Sequence, residues 1–285
     1  MGSRRYKRRR AQKKQTRRKR TQKGGAPELA YTHPEDSGIK VFTSSDRMEP
    51  TLQALLDSLK AHKYSYEVLG FGKPWKGFQT KIENYLEGMQ RYAKEKGPDA
   101  LAIFVDAFDV LCIKDSDKLL KTYKEKPRKM PVVFGAEIAC FKNCYKDIMN
   151  WYDTHGILGG RHTIQATLKS INGGSDYMSE KPIFMNTGFI IGPVSKLEKM
   201  FLEISETPYE EDDQYTAGKW ATQHLDEFDM DIEESMIRNK LIPRDKLPDE
   251  DGEHGPAFLH FPGSRSPEQQ KENVTRYATY SGVGK

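Results

Sequence analysis

Two carboxylates stand at the end of an apolar run in Phe104-Val105-Asp106-Ala107-Phe108-Asp109-Val110. Asp is costly to bury unless a cation compensates it, and two Asp three residues apart across a turn can aim oxygens at one hard divalent ion. Turn capping by Asp106 and a solvated Asp109 is the competing explanation, since Asp is a favoured turn residue. His260 lies inside Phe258-Leu259-His260-Phe261-Pro262-Gly263. As a ligand it adds a nitrogen to an oxygen-rich set and favours Mn²⁺ over Mg²⁺ or Ca²⁺; a hydrogen-bonded core histidine is the alternative. Asn186, in Asn186-Thr187-Gly188 against a β-rich run, can offer an amide to a polyhydroxyl ligand or can simply form a turn. Glu210-Glu211-Asp212-Asp213-Gln214 reads either as acidic capping of a helix start or as carboxylates that meet a sugar or an acceptor hydroxyl.

The elements that must position these groups follow from hydrophobic periodicity. Ile39 to Thr43 is β-rich, Pro50 to His62 is helical (Leu52, Leu55, Leu56, Leu59), and Tyr64 to Phe71 is strand-like. Phe78 to Lys96 places Ile82, Tyr85, Leu86, Met89 and Tyr92 on one helical face. Leu101 to Val105 is a continuous apolar run of the kind buried parallel strands show. Asp115 to Lys126 reads as a helix and Pro131 to Ala136 as another buried strand. The alternation implies βαβ units and a mostly parallel sheet, an α/β fold in which ligands bind beyond the carboxyl ends of the strands. Further on, the sequence predicts a helix over Cys144 to Trp151, a Gly-rich loop over Gly156 to Glu180, and a strand within Pro182 to Ile191. Helices over Lys196 to Ser205 and Asp212 to His224 and a late strand over Ala257 to Phe261 complete the pattern.

Charge is unevenly distributed. The 285 residues carry a net +5, yet 13 of the 46 basic side chains lie in the first 25 residues, which hold no acid. The other 260 residues carry 33 basic and 41 acidic groups, a net −8. Residues 1–36 read as a disordered basic tail able to contact anionic surfaces, and 37–285 as one folded domain. No base-reading element accompanies the basic run, so specific nucleic-acid recognition is not expected. The apolar stretches fall far short of the ~20 residues of a membrane span. Three widely spaced cysteines, Cys112, Cys140 and Cys144, make no disulfide framework. With no readable secretion signal, a cytoplasmic or virus-factory setting is expected.

From Ile39 to Arg265 the chain resembles the glycosyltransferase domain of the procollagen lysyl hydroxylase and glucosyltransferase enzymes, and of related free-standing viral and eukaryotic proteins. The likeness rests on Val68 to Gly77 (Val-Leu-Gly-Phe-Gly-Lys-Pro-Trp-Lys-Gly), Phe104 to Val110, Phe134-Gly135-Ala136-Glu137, Phe184 to Gly192, Asp212-Asp213-Gln214, and His260 with Gly263. It implies a GT-A fold, a Rossmann-like sheet holding a UDP-sugar through a divalent ion, usually Mn²⁺. Carried over, Asp106, Asp109 and His260 ligate the metal. Thr43, Trp75, Lys81 and Phe108 line the nucleotide site, and Gly263 and Arg265 lie by the diphosphate. Asn186, Asp212 and Asp213 face the transferred hexose and the acceptor hydroxyl.

The sequence also departs from that pattern. Phe108 stands where the family often has Tyr, which keeps stacking and loses a hydroxyl. Ile138 to Cys144 replaces a Trp-rich acceptor-side loop, Phe261-Pro262 replaces Gly-Asn, and Arg265 is displaced by one position. The metal residues are untouched, while the acceptor contacts differ. Two rivals remain at this level: a catalytically degenerate GT-A-like binding protein with a polyanion-binding tail, and a metal phosphohydrolase using Asp106 as nucleophile. The second usually needs Asp-x-Asp spacing rather than Asp-x-x-Asp.

Overall fold

The computed structural model describes residues 32–33, 38–125, 130–140, 151–152, 155, 169–171, 176–206, 213–240, 255–262 and 267–280. The first half runs β1 (Thr32–His33), β2 (Ile39–Ser44), α1 (Pro50–Ala61), β3 (Ser65–Leu69), α2 (Phe78–Lys96), β4 (Leu101–Val105), β5 (Val110–Cys112), α3 (Ser116–Glu125) and β6 (Val132–Glu137). The second half runs β7 (Ala139–Cys140), β8 (Lys169–Ile171), β9 (Asp176–Met178), β10 (Phe184–Pro193), α4 (Val194–Glu206), α5 (Asp213–Gln223), β11 (Phe228–Met230), β12 (Ile237–Asn239), β13 (Phe258–His260) and α6 (Pro267–Tyr280).

Seven strands form the central sheet in the order β1-β3-β2-β4-β10-β6-β11. β3, β2 and β4 are mutually parallel, as are β6 and β11. β10 enters between the two groups antiparallel to both. Five of the seven strands therefore point one way, which agrees with the mostly parallel α/β fold expected, and the reversed β10 lies in the middle. A second sheet, β12-β13-β5, and a third, β7-β9-β8, complete the strands.

β4 shows why this sequence builds a two-faced sheet. Successive side chains of a strand point to opposite faces. Ala102 and Phe104 enter the cluster beneath α2 and α4, while Ile103 and Val105 enter the one beneath α1. Phe104 stacks on Phe42 at 5.4 Å and meets Tyr85 and Phe201 at 4.4 and 5.0 Å between ring centroids. α2 lies close on the sheet because Gly88 faces Leu69, where a Cβ would come within 2.8 Å of a Leu69 methyl. α1 begins at Pro50, whose fixed φ suits a first helical turn, and buries Leu52, Leu55, Leu56 and Leu59 as its spacing predicts.

The structure departs from expectation in three places. Thr32–His33, inside the segment read as a tail, pairs antiparallel with Tyr66 and Glu67 of β3, because a sheet edge offers open backbone partners to any short extended piece. The loop expected over 156–180 contains β8 and β9, short strands that pair antiparallel with each other. β5, β11, β12 and α6 were not legible as elements, and the helix expected over 144–151 lies, apart from Trp151, outside the described residues. No described helix is long and apolar enough to cross a membrane.

Phe104 anchors both α2 and α4 to the sheet, so Phe104→Ala is expected to cost about 3–5 kcal/mol, the range for deleting a buried aromatic. Urea unfolding followed by circular dichroism reads the loss.

Candidate active site and metal centre

β4 ends at Val105 in the central sheet and β5 begins at Val110 in the second, so the turn carrying Asp106 and Asp109 joins the two sheets. Backbone bonds pin both carboxylates: the Asp106 amide donates to the Gly188 carbonyl at 3.2 Å, and the Phe261 amide donates to the Asp109 carbonyl at 2.8 Å. The second of these brings the end of β13 alongside. His260, 2% exposed, projects from β13 between the two Asp side chains. Its Nε2 lies 3.4 Å from Asp109 Oδ2 and 3.7 Å from Asp106 Oδ2.

The other ring nitrogen is fixed by Asn239 on β12, the register partner of His260. Asn239 Nδ2 donates to the Ala136 carbonyl at 2.6 Å, so its Oδ1 faces the ring and accepts from Nδ1–H at 2.5 Å. That bond fixes the ring orientation and leaves Nε2 directed at the carboxylates. β12 is itself tied down by buried Asp231, which accepts from the amides of Ser235, Met236 and Ile237 and from the Ser235 hydroxyl. Gly188 is obligatory here, because a Cβ would lie 2.2 Å from His260 Cε1.

The three donors fit a divalent cation. His260 Nε2 is buried and has no hydrogen-bond partner, an expensive condition for a polar atom. One donor atom from each of Asp106, Asp109 and His260 falls within 4.8 Å of the others. An octahedral ion with oxygen bonds of about 2.1–2.5 Å holds neighbouring donors about 3.0–3.5 Å apart, close to the separations seen. Burial pushes the imidazole pKa down, but the carboxylates of Asp109 and then Asp106 and Glu137 outweigh it and hold His260 above its ordinary value. A second group, Glu203, His224 and Glu227, is similarly close, but Lys199 Nζ already sits 2.5 Å from Glu227 Oε2.

Beside the triad, Lys81 in the first turn of α2 extends its ammonium between Asp106 Oδ1 and Asp213 Oδ2, the latter at 2.6 Å. Burial opposes its charge, but the two carboxylates prevail and hold its pKa well above the ordinary lysine value. Asp213 opens α5, where a negative charge also suits the helix N-terminus. Asn186 Nδ2 donates to Glu137 Oε1 at 3.1 Å and to Gln214 Oε1 at 3.2 Å, and its Oδ1 accepts from the Gly188 amide at 2.8 Å. Gln214 Nε2 donates to the same Glu137 oxygen at 2.7 Å.

These groups line one cleft of ≈ 400 Å³ at the carboxyl ends of β2 and β4, a size suited to a small-molecule ligand. Trp75 and Phe78 stand at its mouth, 40% and 41% exposed and perpendicular to each other. Phe108 lies on the wall, with the Arg47 guanidinium 5.4 Å from its ring centroid. Of the residues predicted from sequence, Trp75, Lys81, Phe108, Asp106, Asp109, Asn186, Asp213 and His260 line this cleft. Thr43 does not: it is fully buried, and its neighbour Ser44 reaches the cleft instead, since adjacent strand residues face opposite ways. Asp212, Gly263 and Arg265 lie outside the described residues. Glu137, Gln214, Ser44 and Asn239 were not singled out by role. Glu137 and Gln214 had a signal, as charged or amide residues inside two of the resemblance-bearing motifs; Asn239, in a three-residue strand, had none.

Part of the chain is similar in sequence to known proteins. Residues 35–152 match the family described as the PLOD GT domain. The chain is 31% identical over 121 residues to the multifunctional procollagen lysine hydroxylase and glycosyltransferase of Caenorhabditis elegans, and 26% identical over 121 residues to the procollagen-lysine,2-oxoglutarate 5-dioxygenase of Drosophila melanogaster. Each alignment takes in 40% of this chain and 16% of the relative, so the chain corresponds to a small part of those proteins. Among solved structures, a glycosyltransferase involved in glycosylation of the major capsid of PBCV-1 aligns over 84% of this chain and 98% of its own, at 12% identity and a TM-score of 0.49. Mouse xyloside xylosyltransferase 1 aligns over 79% and 96%, at 11% identity and a TM-score of 0.41. Residues 35–152 are thus similar to the PLOD GT domain. That segment brings Lys81, Asp106, Asp109 and Glu137; the fold adds Asn186, Asp213 and His260 from beyond it.

Gly188→Ala is expected to force the His260 ring off Asn239 and to destabilise the protein by about 1–3 kcal/mol, the usual cost of overpacking. The midpoint of urea denaturation reads it.

Proposed function

We propose that this domain is a divalent-metal-dependent glycosyltransferase that moves a hexose, glucose or galactose, from a UDP-sugar to a hydroxyl on a protein or glycan. The observation that carries the reading is the buried, unpartnered Nε2 of His260 directed at Asp106 and Asp109. Asp106, Asp109 and His260 would hold the ion. One nitrogen among hard oxygens favours Mn²⁺ over Mg²⁺ or Ca²⁺. When bound, such an ion supplies charge neutralisation to a diphosphate leaving group.

The chain's own residues divide the remaining work. Trp75 and Phe108 offer aromatic faces to a nucleobase at the open end of the cleft. Gly263 and Arg265 follow His260 closely enough in sequence to serve the diphosphate. Asn186 presents a fixed amide beside Asp213, on the side where a sugar and its acceptor would meet, and Asp212 precedes Asp213 in the chain. Two carboxylates there, Asp213 and Glu137, are placed to take an acceptor proton if the reaction inverts configuration. Hydroxylysine is one acceptor suggested by the names of the relatives, and the altered Ile138–Cys144 segment favours testing others alongside it. The same proposal gives residues 1–36 a separate role as a basic tail for anionic surfaces, outside the transferase domain of 37–285.

A UDP-release assay with UDP-glucose, UDP-galactose and UDP-GlcNAc, with and without Mn²⁺, tests the proposal. Turnover of a hexose donor is expected only with metal. Asp109→Ala should lower it by more than about 100-fold, beyond the 10–100-fold typical of losing a partner outside the ligand set. UDP binding without turnover of any donor or metal combination would instead identify a non-catalytic binding domain.

A further inference from the structure

The ion pair between Lys81 and two separate carboxylates has a consequence for how the cleft fills. Lys81 is buried and extends from α2, while its partners come from the β4–β5 turn and the start of α5. Asp106 uses Oδ1 for the ammonium, and its Oδ2 is the oxygen 3.7 Å from His260 Nε2. The lysine therefore leaves the ligand atoms open and stands beside them as a fixed positive charge. A fixed charge has two opposed effects on a divalent ion. It orients Asp106, which helps by about the value of one charged hydrogen bond. It also repels a divalent ion held a few ångström away in the same cleft. Asp213 moderates that repulsion by sharing the ammonium.

We propose that Lys81 couples metal binding to donor binding: its ammonium, shared by Asp106 and Asp213, keeps divalent-ion affinity low in the empty cleft and relinquishes that restraint when a nucleoside diphosphate brings its own negative charge. The inference rests on the metal-dependent reading above and adds an order of events to it. Lys81 acts as a positioning residue toward the ion, working through Asp106. Linkage requires the coupling to be reciprocal, so UDP tightens Mn²⁺ binding and Mn²⁺ tightens UDP binding by one common factor.

Mn²⁺ affinity of the full chain, measured by electron paramagnetic resonance with and without UDP, reads this without any turnover. Lys81→Met is expected to bind Mn²⁺ alone roughly tenfold more tightly, within the 5–150-fold span usual for coupled sites, and to show a smaller effect of UDP. Asp213→Asn, which leaves the ammonium to Asp106 alone, is expected to bind Mn²⁺ several-fold more weakly. Opposite signs in the two variants are what a merely structural ion pair does not give, since losing it weakens binding in both. Unchanged or weaker Mn²⁺ binding in Lys81→Met overturns the proposal. Should circular dichroism show that variant unfolded, unchanged or tighter binding in Asp213→Asn overturns it instead. Donor turnover by the wild-type chain is scored separately. Turnover with the wrong signs in the variants defeats the coupling alone, while Mn²⁺ binding with no turnover of any donor defeats the catalytic reading.

Discussion

The site depends on one bond, from His260 Nδ1 to Asn239 Oδ1. Without it the imidazole could present either nitrogen to the carboxylates. With it, Nε2 is committed to face Asp106 and Asp109 in a place where a polar atom lacking a partner is costly. The bond in turn requires the Asn239 amide to be held by the Ala136 carbonyl, β12 to be stapled by Asp231, and position 188 to carry no side chain. These constraints come from three parts of the chain far apart in sequence, and each is structural until the ring is considered. Together they keep two carboxylates and an imidazole at near-ligand separations.

The sheet architecture explains why the carboxylates can be there. A strand that left the central sheet and continued into a helix would expose its carboxyl end to solvent. Here the chain leaves β4, turns through Asp106 and Asp109, and enters the second sheet as β5. The turn is clasped by the reversed β10 on one side, through the Gly188 carbonyl, and by β13 on the other. The antiparallel insertion of β10 also brings Asn186 to the cleft, since a parallel strand in that position would present its opposite end. Lys81 then offsets part of the negative charge that Asp106, Asp109, Asp213 and Glu137 gather, and a divalent ion is a natural complement to what remains.

Much of this is legible in the amino-acid sequence. The apolar run of β4, the helical faces of α1 and α2, and the two Asp at the strand end carry strong periodic or positional signals. His260 and Asn186 were visible as polar residues inside apolar runs. Elements of three residues, such as β5, β11 and β12, complete too little of a period to be recognised by pattern, and Asn239 sits in one of them. Thr43 and Ser44 illustrate a finer limit: a shift of one residue along a strand moves a side chain to the other face, so a motif fixes the place and the backbone decides which neighbour reaches the cleft. Lys81 was found by resemblance, but its two ion-pair partners lie 25 and 132 residues away, a pairing that only the fold reveals.

The division of the site between two regions of the chain bears on what the sequence kinship means. The segment that matches the PLOD GT domain, 35–152, contains Trp75, Phe108, Asp106, Asp109, Lys81 and Glu137. Outside it come Asn186, Asp213 and Gln214, and His260, whose donor atom groups with those of Asp106 and Asp109. Lys81 and Glu137 bridge the two: one reaches across to Asp213, the other accepts from Asn186 and Gln214. Few groups with long reach therefore join the wall built inside the matched segment to the wall built outside it.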